Sequence, residues 1–340
     1  MTGQTAPSPN ITALLELRGL TKHFSIGRNQ VVHACEDVNL ILHRSETLGL
    51  IGESGSGKTT LGRCILRLVE HTAGQVIFEG VDIGTLSKRD LRHLRADMQI
   101  VFQEPMDSFD PLMTIGRQIT EPLRIHRGMG ARERRHHAAE LLQMVGLPAG
   151  VADALPATLS AGALQRSSIA RAIATRPKLV ILDEPTSALA PEAEIEIIAL
   201  LKRLQAELNL TYVFISHDLP LIGSVCDRVA VMYLSQIVEL GTREAIFAAP
   251  QHPYTQALLA ASLVPDPRQR RLTRSAPLTG EIPSSIDLPT GCYFASRCKH
   301  VRQRCLDTPQ RLKLGVGGDR WTRCWRIAEG DLRSVEYLDS

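Results

Sequence analysis

Residues 48–61 read Leu-Gly-Leu-Ile-Gly-Glu-Ser-Gly-Ser-Gly-Lys-Thr-Thr-Leu, and no other stretch restricts the possible folds as strongly. From Gly52 to Thr59 it fits the pattern G-x-x-x-x-G-K-[ST] at every fixed position. The apolar run before it suits a buried strand, and Leu61, Ile65 and Leu68 recur after it at helical spacing. The context is therefore strand, loop, helix. Gly52, Gly55 and Gly57 let the backbone turn with its N–H groups inward, and Glu53, Ser54, Ser56 and Thr60 complete a loop shaped to cradle phosphate oxygens. Lys58 is expected to reach the β- and γ-phosphates of a nucleotide, and the Thr59 hydroxyl to ligate Mg²⁺.

At 340 residues the chain has room for about two domains. Its 44% hydrophobic and 22% charged residues are ordinary for a soluble globular protein. No apolar run approaches the roughly 18 residues a membrane-spanning helix needs, and the N-terminus has no signal-peptide pattern, so a cytoplasmic protein is expected. A net charge of +3 and only 4% aromatic residues argue against nucleic acid as a partner. Seven cysteines without a secretory signal argue against a disulfide framework. Cys35, Cys64 and Cys226 read as small buried residues. Cys292, Cys298, Cys305 and Cys324 form a separate cluster.

In chain order, residues 1–10 lack apolar surface and read as a loose tail. Three strand-like segments between Leu14 and Leu42, with a turn at Gly27-Arg28-Asn29, predict a small antiparallel sheet. Phe24 ends the first segment, where core packing and stacking on a nucleotide base are both open. Gln75–Phe78 and Gln99–Phe102 read as strands flanking a basic helix through Arg89, Arg92 and Arg95. Gln103 follows directly. Residues from about 104 to 176 are mostly helical, an insertion in the nucleotide domain. Leu179 to Leu182 is a continuous apolar run ending in Asp183 and Glu184, as for a central parallel strand whose carboxylates emerge at the ligand edge. Asp183 is expected to anchor Mg²⁺ through water and Glu184 to act as general base. Pro191 opens a helix with an apolar face of Ile197, Leu200, Leu201, Leu204 and Leu208. A further strand ends at Ser216-His217-Asp218, which places His217 beside the terminal phosphate.

The phosphate loop, Gln103, Leu159-Ser160-Ala161-Gly162, Leu182-Asp183-Glu184-Pro185-Thr186 and His217, in this order, resemble the ATP-binding-cassette ATPases over about 230 residues. His252-Pro253-Tyr254-Thr255 and the Cys-containing tail resemble the oligopeptide and dipeptide importer branch. The resemblance implies an α/β P-loop fold with an N-terminal antiparallel β subdomain, an inserted helical subdomain and a small C-terminal extension. It divides the chain into a nucleotide-binding domain over 11–250 and an extension over 251–340. It implies ATP and Mg²⁺ as ligands, with Glu184 as catalytic base, Gln103 as the glutamine that senses the γ-phosphate and joins Thr59 and Asp183 around Mg²⁺, His217 as switch, and Phe24 as adenine-stacking aromatic. Ser160 and Gly162 would serve the ATP of a second cassette. The implied partners are that second ATPase, two membrane-spanning permease subunits and an extracytoplasmic solute-binding protein, with this chain peripheral on the cytoplasmic face of a bacterial inner membrane.

Two departures stand out. Where the family reads Leu-Ser-Gly-Gly-Gln this chain has Leu159-Ser160-Ala161-Gly162-Ala163, and where it reads Ser-Ala-Leu-Asp this chain has Ser187-Ala188-Leu189-Ala190. Both affect groups that serve the opposite site, which predicts an asymmetric heterodimer with one impaired ATP site. The loss of a carboxylate before Pro191 is expected to cost about 1 kcal/mol of helix start. The four late cysteines are spaced C-x5-C-x6-C-x18-C, which matches no C-x2-C zinc pattern. By resemblance a [4Fe-4S] cluster ranks first, no metal second and zinc third. Arg268, Arg270, Arg271 and Arg274 read as a solvated linker or, alternatively, a lipid-contacting patch. The rival functions are a soluble cassette ATPase acting on nucleic acid or ribosomes, and a regulatory subunit that binds ATP without hydrolysing it.

Overall fold

Two antiparallel strands, β1 (Ala13–Ile26) and β2 (Gln30–His43), open the fold as one long hairpin where three segments were expected. Gly19 and Asp37 are held at positive φ inside irregularities of the pairing, so each strand bends without ending. The fully buried β3 (Thr47–Ile51) then leads through the phosphate loop into α1 (Lys58–Ile65). The expected apolar face stops short of Leu68, because Arg67 takes a left-handed φ of 49° and its guanidinium turns to the carbonyls of Ile83 and Leu86. Strands β4 (Ala73–Phe78) and β5 (Val81–Asp82) return beside β1 to complete a four-stranded antiparallel sheet in the order β2-β1-β4-β5.

Helix α2 (Lys88–Leu94) and β6 (Met98–Val101) follow. Four helices then precede the next strand: α3 (Ile115–Ile119), α4 (Glu121–Arg127), α5 (Ala131–Met144) and α6 (Ala161–Ile173). The main sheet continues with β7 (Leu179–Asp183), α7 (Pro191–Leu208), β8 (Thr211–Ile215), α8 (Leu219–Val225), β9 (Arg228–Tyr233) and β10 (Gln236–Thr242). Helices α9 (Arg243–Ala248), α10 (Pro253–Ser262) and α11 (Gln303–Asp307), strands β11 (Lys313–Leu314) and β12 (Arg320–Thr322), and α12 (Trp325–Ala328) finish the chain. The computed structural model describes residues 13–27, 30–262, 282–315, 318 and 320–332. The expected tail over 1–10, the turn residues Arg28 and Asn29 and the arginines at 268, 270, 271 and 274 lie outside them.

The second sheet has the order β11-β12-β10-β9-β3-β8-β7-β6. From β9 through β3, β8 and β7 to β6 the pairing is parallel, so the carboxyl ends of these strands share one edge. Apolar cores lie on its two faces: one includes the insertion and α7, the other the antiparallel sheet and α1. Strand β12 pairs with β10, so the end of the chain extends the same sheet that carries the phosphate loop.

Candidate functional site

The phosphate loop occupies the crevice at the carboxyl edge of β3, between β8 and β9. Its glycines are dictated by close approach. A Cβ on Gly52 would collide with the carbonyl oxygen of Met232, and one on Gly57, at φ 102°, with that of Ala34. Gly57 also caps α1 without any side-chain bond, which leaves the first N–H groups of the helix aimed into the loop. Lys58 is buried, and its Nζ donates to the carbonyls of Gly52 and Glu53 at 2.8 and 3.0 Å. Burial lowers its pKa, against the pull of Glu184, Asp183 and Glu53. Such an ammonium is a preformed partner for phosphate.

Asp183, at the end of β7, accepts from the Thr59 hydroxyl at 3.0 Å. It is 2% exposed, and burial raises its pKa, with the Thr59 hydrogen bond opposing. A buried carboxylate beside a threonine hydroxyl, with no cation in direct contact among the described residues, fits a hard divalent ion such as Mg²⁺. Glu184 sits at φ 47°, a left-handed conformation that costs a residue with a Cβ about 1–3 kcal/mol. The twist turns its carboxylate between two groups: Gln103 Nε2 donates to Oε2 at 3.0 Å, and His217 Nδ1 lies 3.2 Å from Oε1. Gln103, Glu184 and His217, dispersed in sequence, are thus brought together.

The other expected site residues are placed as follows. Phe24 is 38% exposed on β1, with Lys22 Nζ 4.5 Å from its ring centre. Ser54 and Gly55 are exposed, while Ser56 is buried and Thr60 half-buried. Ser160 and Gly162 are not in hydrogen-bonding contact with this chain's phosphate loop. Ser160 caps α6, its hydroxyl accepting from Ala163 N at 3.3 Å. The neighbouring Leu159 and Ala161 line a pocket shared with Gln103 and Glu184. Ala190 is the N-cap of α7 and has no side-chain cap bond.

Sequence reasoning missed one connection. Arg297, from the C-terminal extension, donates two hydrogen bonds to the Glu53 carboxylate at 2.8 and 3.0 Å, and Glu53 N donates to the Tyr254 hydroxyl at 3.0 Å. Glu53 therefore faces the extension. Tyr254 packs with Tyr233 and Phe294, and Arg297 lies against the Tyr233 ring. The His-Pro-Tyr stretch gave the only signal: Glu239 accepts from the N–H groups of Gln251 and His252 at 2.7 and 2.9 Å, and His252 Nδ1 accepts from Tyr254 N at 3.1 Å.

Cys35, Cys64 and Cys226 are buried, as expected. Cys292, Cys298, Cys305 and Cys324 all line one pocket, with His252, Phe294 and Trp325. Burial and neighbouring thiols push Cys292 up to about 12 and Cys298 up to about 11. Trp325 Nε1 donates to Cys305 Sγ at 3.2 Å. Among the described residues, no three of these sulfurs lie within 4.8 Å of one another, so they are not gathered around a single ion of the zinc kind.

A glycine-lined loop at a parallel-sheet edge, a lysine inside it and paired acids on the adjoining strand define a nucleotide-hydrolysing P-loop protein. Comparison with known proteins narrows the class. The ABC transporter family model matches residues 35–187, and that of the oligopeptide/dipeptide transporter C-terminal region matches 238–305. A probable peptide ABC transporter ATP-binding protein of Sinorhizobium fredii is 46% identical over 299 residues, covering 86% of this chain and 84% of its own. The oligopeptide transport ATP-binding protein OppF of Salmonella typhimurium is 40% identical over 304 residues, covering 87% and 91%. Among solved structures, the dimeric ATP-binding cassette MJ0796 bound to ADP and Pi superposes with a TM-score of 0.62 at 31% identity, over 67% of this chain and 98% of that one. The chain belongs to the ABC transporter family, as an ATP-binding subunit of the peptide-import type, and is an ATPase that binds ATP with Mg²⁺. No helix among the described residues is long and apolar enough to cross a membrane.

Proposed function

We propose that this chain hydrolyses ATP at a site centred on Glu184, paired head to tail with a second ATPase beneath two membrane-spanning permease subunits on the cytoplasmic face of the inner membrane. An extracytoplasmic binding protein would deliver di- or oligopeptides to the permeases. The observation that carries the reading is the Glu184 carboxylate held by Gln103 and His217 next to a phosphate loop with an intact lysine. Thr59, Asp183 and Gln103 would hold Mg²⁺, which would supply neutralisation of charge developing on the phosphates. Glu184 accepts a proton from the water that attacks the γ-phosphorus as the bond to the β-phosphate oxygen breaks. Gln103 and His217 exchange their bonds to Glu184 for bonds around the γ-phosphate, and that exchange couples nucleotide to conformation. Lys58 leaves the Gly52 and Glu53 carbonyls for the phosphates, and Phe24 stacks on the adenine.

Ala161, Ala163 and Ala190 make the partner-facing half of this cassette the weaker one, which supports two unequal ATP sites. Affinity purification from detergent-solubilised membranes with mass spectrometry tests the assembly. Recovery of two permeases and a second ATPase with an intact signature supports it, and recovery as a soluble homodimer overturns it. In the assembled complex, the double substitution Ala161→Gly with Ala163→Gln is expected to raise ATP turnover several-fold, and unchanged turnover removes the impaired site.

The same reading assigns the cysteine pocket to a [4Fe-4S] cluster. Support comes from four thiols lining one cavity. Iron content and visible absorbance of an anaerobic preparation test it. Absence of both removes the cluster.

A further inference from the structure

Outside the phosphate loop, the β1–β2 hairpin gathers a second set of ligating side chains. The antiparallel register sets His23 directly opposite His33, with ring centres 4.3 Å apart in an edge-on arrangement. Glu36 is three positions past His33, and in a regular strand an odd step would turn it to the opposite face. The pairing breaks here: His23 pairs with His33, but Lys22 pairs with Cys35, so β2 carries one extra residue at Ala34. That bulge brings Glu36 round to the histidine face. Its Oε1 then lies 2.6 Å from His23 Nε2 and 3.0 Å from His33 Nδ1, and all three ligand atoms lie within 4.8 Å of one another.

The backbone beneath this group is fixed from two directions. Glu36 N donates to the Ser235 carbonyl at 2.8 Å, the Ser235 hydroxyl donates to the His33 carbonyl, and His33 N donates to the Ser285 carbonyl at 2.9 Å. All three side chains are half-buried, open enough on one side for water.

We propose that His23 Nε2, His33 Nδ1 and the Glu36 carboxylate bind one divalent transition-metal ion of the zinc class. Two imidazoles and one carboxylate form a borderline donor set that suits zinc and leaves calcium and magnesium, which take oxygen ligands, poorly served. Ligand bonds of about 2.0–2.2 Å in a tetrahedron require donor atoms somewhat over 3 Å apart, so the present spacings need only a slight opening. The fourth position, on the solvent side, takes water. The ion takes the place of the contacts between the two rings and one carboxylate oxygen, and it ties β1 to β2 beside Phe24. Ala34, the bulged residue, is the one whose carbonyl packs against Gly57, so the braced segment is continuous with the phosphate loop.

The test is zinc titration of the chelator-stripped full-length chain against a competing chromophoric chelator, repeated with the His23→Gln/His33→Gln double variant and with Glu36→Gln. The wild type is expected to take up one equivalent more than the double variant. Glu36→Gln, which keeps both rings, is expected to bind that equivalent at least about tenfold more weakly. Zinc is expected to raise the melting temperature of the wild type more than that of Glu36→Gln, and that of the double variant least. Cobalt separates this site from the cysteines: here it gives ligand-field bands without sulfur-to-metal charge transfer, and the double variant loses them. Equal zinc uptake and affinity in all three proteins, or cobalt spectra of thiolate character only, overturns the site.

Discussion

Removing the Arg297 guanidinium breaks the ion pair between the phosphate loop and the C-terminal extension and leaves the bond from Glu53 N to the Tyr254 hydroxyl in place. Arg297 has a side chain 5% exposed and makes both forked bonds to Glu53, which is itself 24% exposed. Breaking a fully buried pair costs about 3–5 kcal/mol, and an exposed pair is worth at most about 1 kcal/mol. Water reaches Glu53 and compensates part of the loss, so Arg297→Ala is expected to cost about 2 kcal/mol. If all of that falls on the loop's phosphate-ready conformation, ATP affinity drops at most about 30-fold. Equilibrium binding of a fluorescent ATP analogue, together with thermal melting, reads both effects in the purified chain. Arg297→Lys keeps the charge without the fork and should lie between. A double-mutant cycle with Glu53→Gln isolates the pair and is expected to give a coupling above about 0.5 kcal/mol. Unchanged ATP affinity in Arg297→Ala, with only the melting temperature lowered, would refute the reasoning and leave the contact as packing.

Three further outcomes follow from the site and its supports. Glu184→Gln in the assembled transporter should lower ATP turnover by about 10²–10⁴-fold while nucleotide binding persists, because the amide cannot take the proton; turnover near wild type would exclude Glu184 as base. Ala190→Asp should add about 1 kcal/mol by capping α7, whose N-cap makes no side-chain bond, and an unchanged melting temperature would contradict the assignment. Burial and the Arg323 charge lower His252 to about 3, while burial raises Glu239 to about 6. Below pH 6.5 the unfolded chain takes up a proton at His252 that the folded chain refuses, so this residue removes stability at up to about 1.4 kcal/mol per pH unit as pH falls. Glu239 acts oppositely, gaining stability as pH falls through 6 towards its unfolded value near 4.5. The excess stability of wild type over His252→Asn, which keeps an acceptor for Tyr254 N, should therefore be flat above pH 6.5 and shrink below it, as measured by denaturant unfolding at several pH values.

The phosphate loop, the acids ending β7 and the strand before His217 were legible because each is a local pattern. A run of apolar residues buries a strand whatever surrounds it, and the loop's glycines answer to contacts that no residue with a Cβ would allow. The antiparallel hairpin was legible in kind but not in length, since the bulged pairing at Gly19 and Asp37 carries each strand through an irregularity without ending it. That same pairing hid the His23–His33–Glu36 group. His33 and Glu36, whose spacing puts them on opposite faces of a regular strand, share the face of His23 only after Ala34 is set aside.

The His-Pro-Tyr stretch shows most directly why sequence reading stopped where it did. As a string it marks a branch of the family, and nothing in its spacing says what the tyrosine does. In the fold, buried Glu239 receives the two N–H groups ahead of Pro253, neutral His252 receives that of Tyr254, and the tyrosine hydroxyl is thereby aimed at Glu53 N. Glu53 is 201 positions from Tyr254 and 244 from Arg297. The partner that gives the motif its purpose thus belongs to the phosphate loop, and only the shared sheet, extended by β12 alongside β10, brings the two within reach. A contact of that separation has no periodicity to betray it, so its role had to come from the fold.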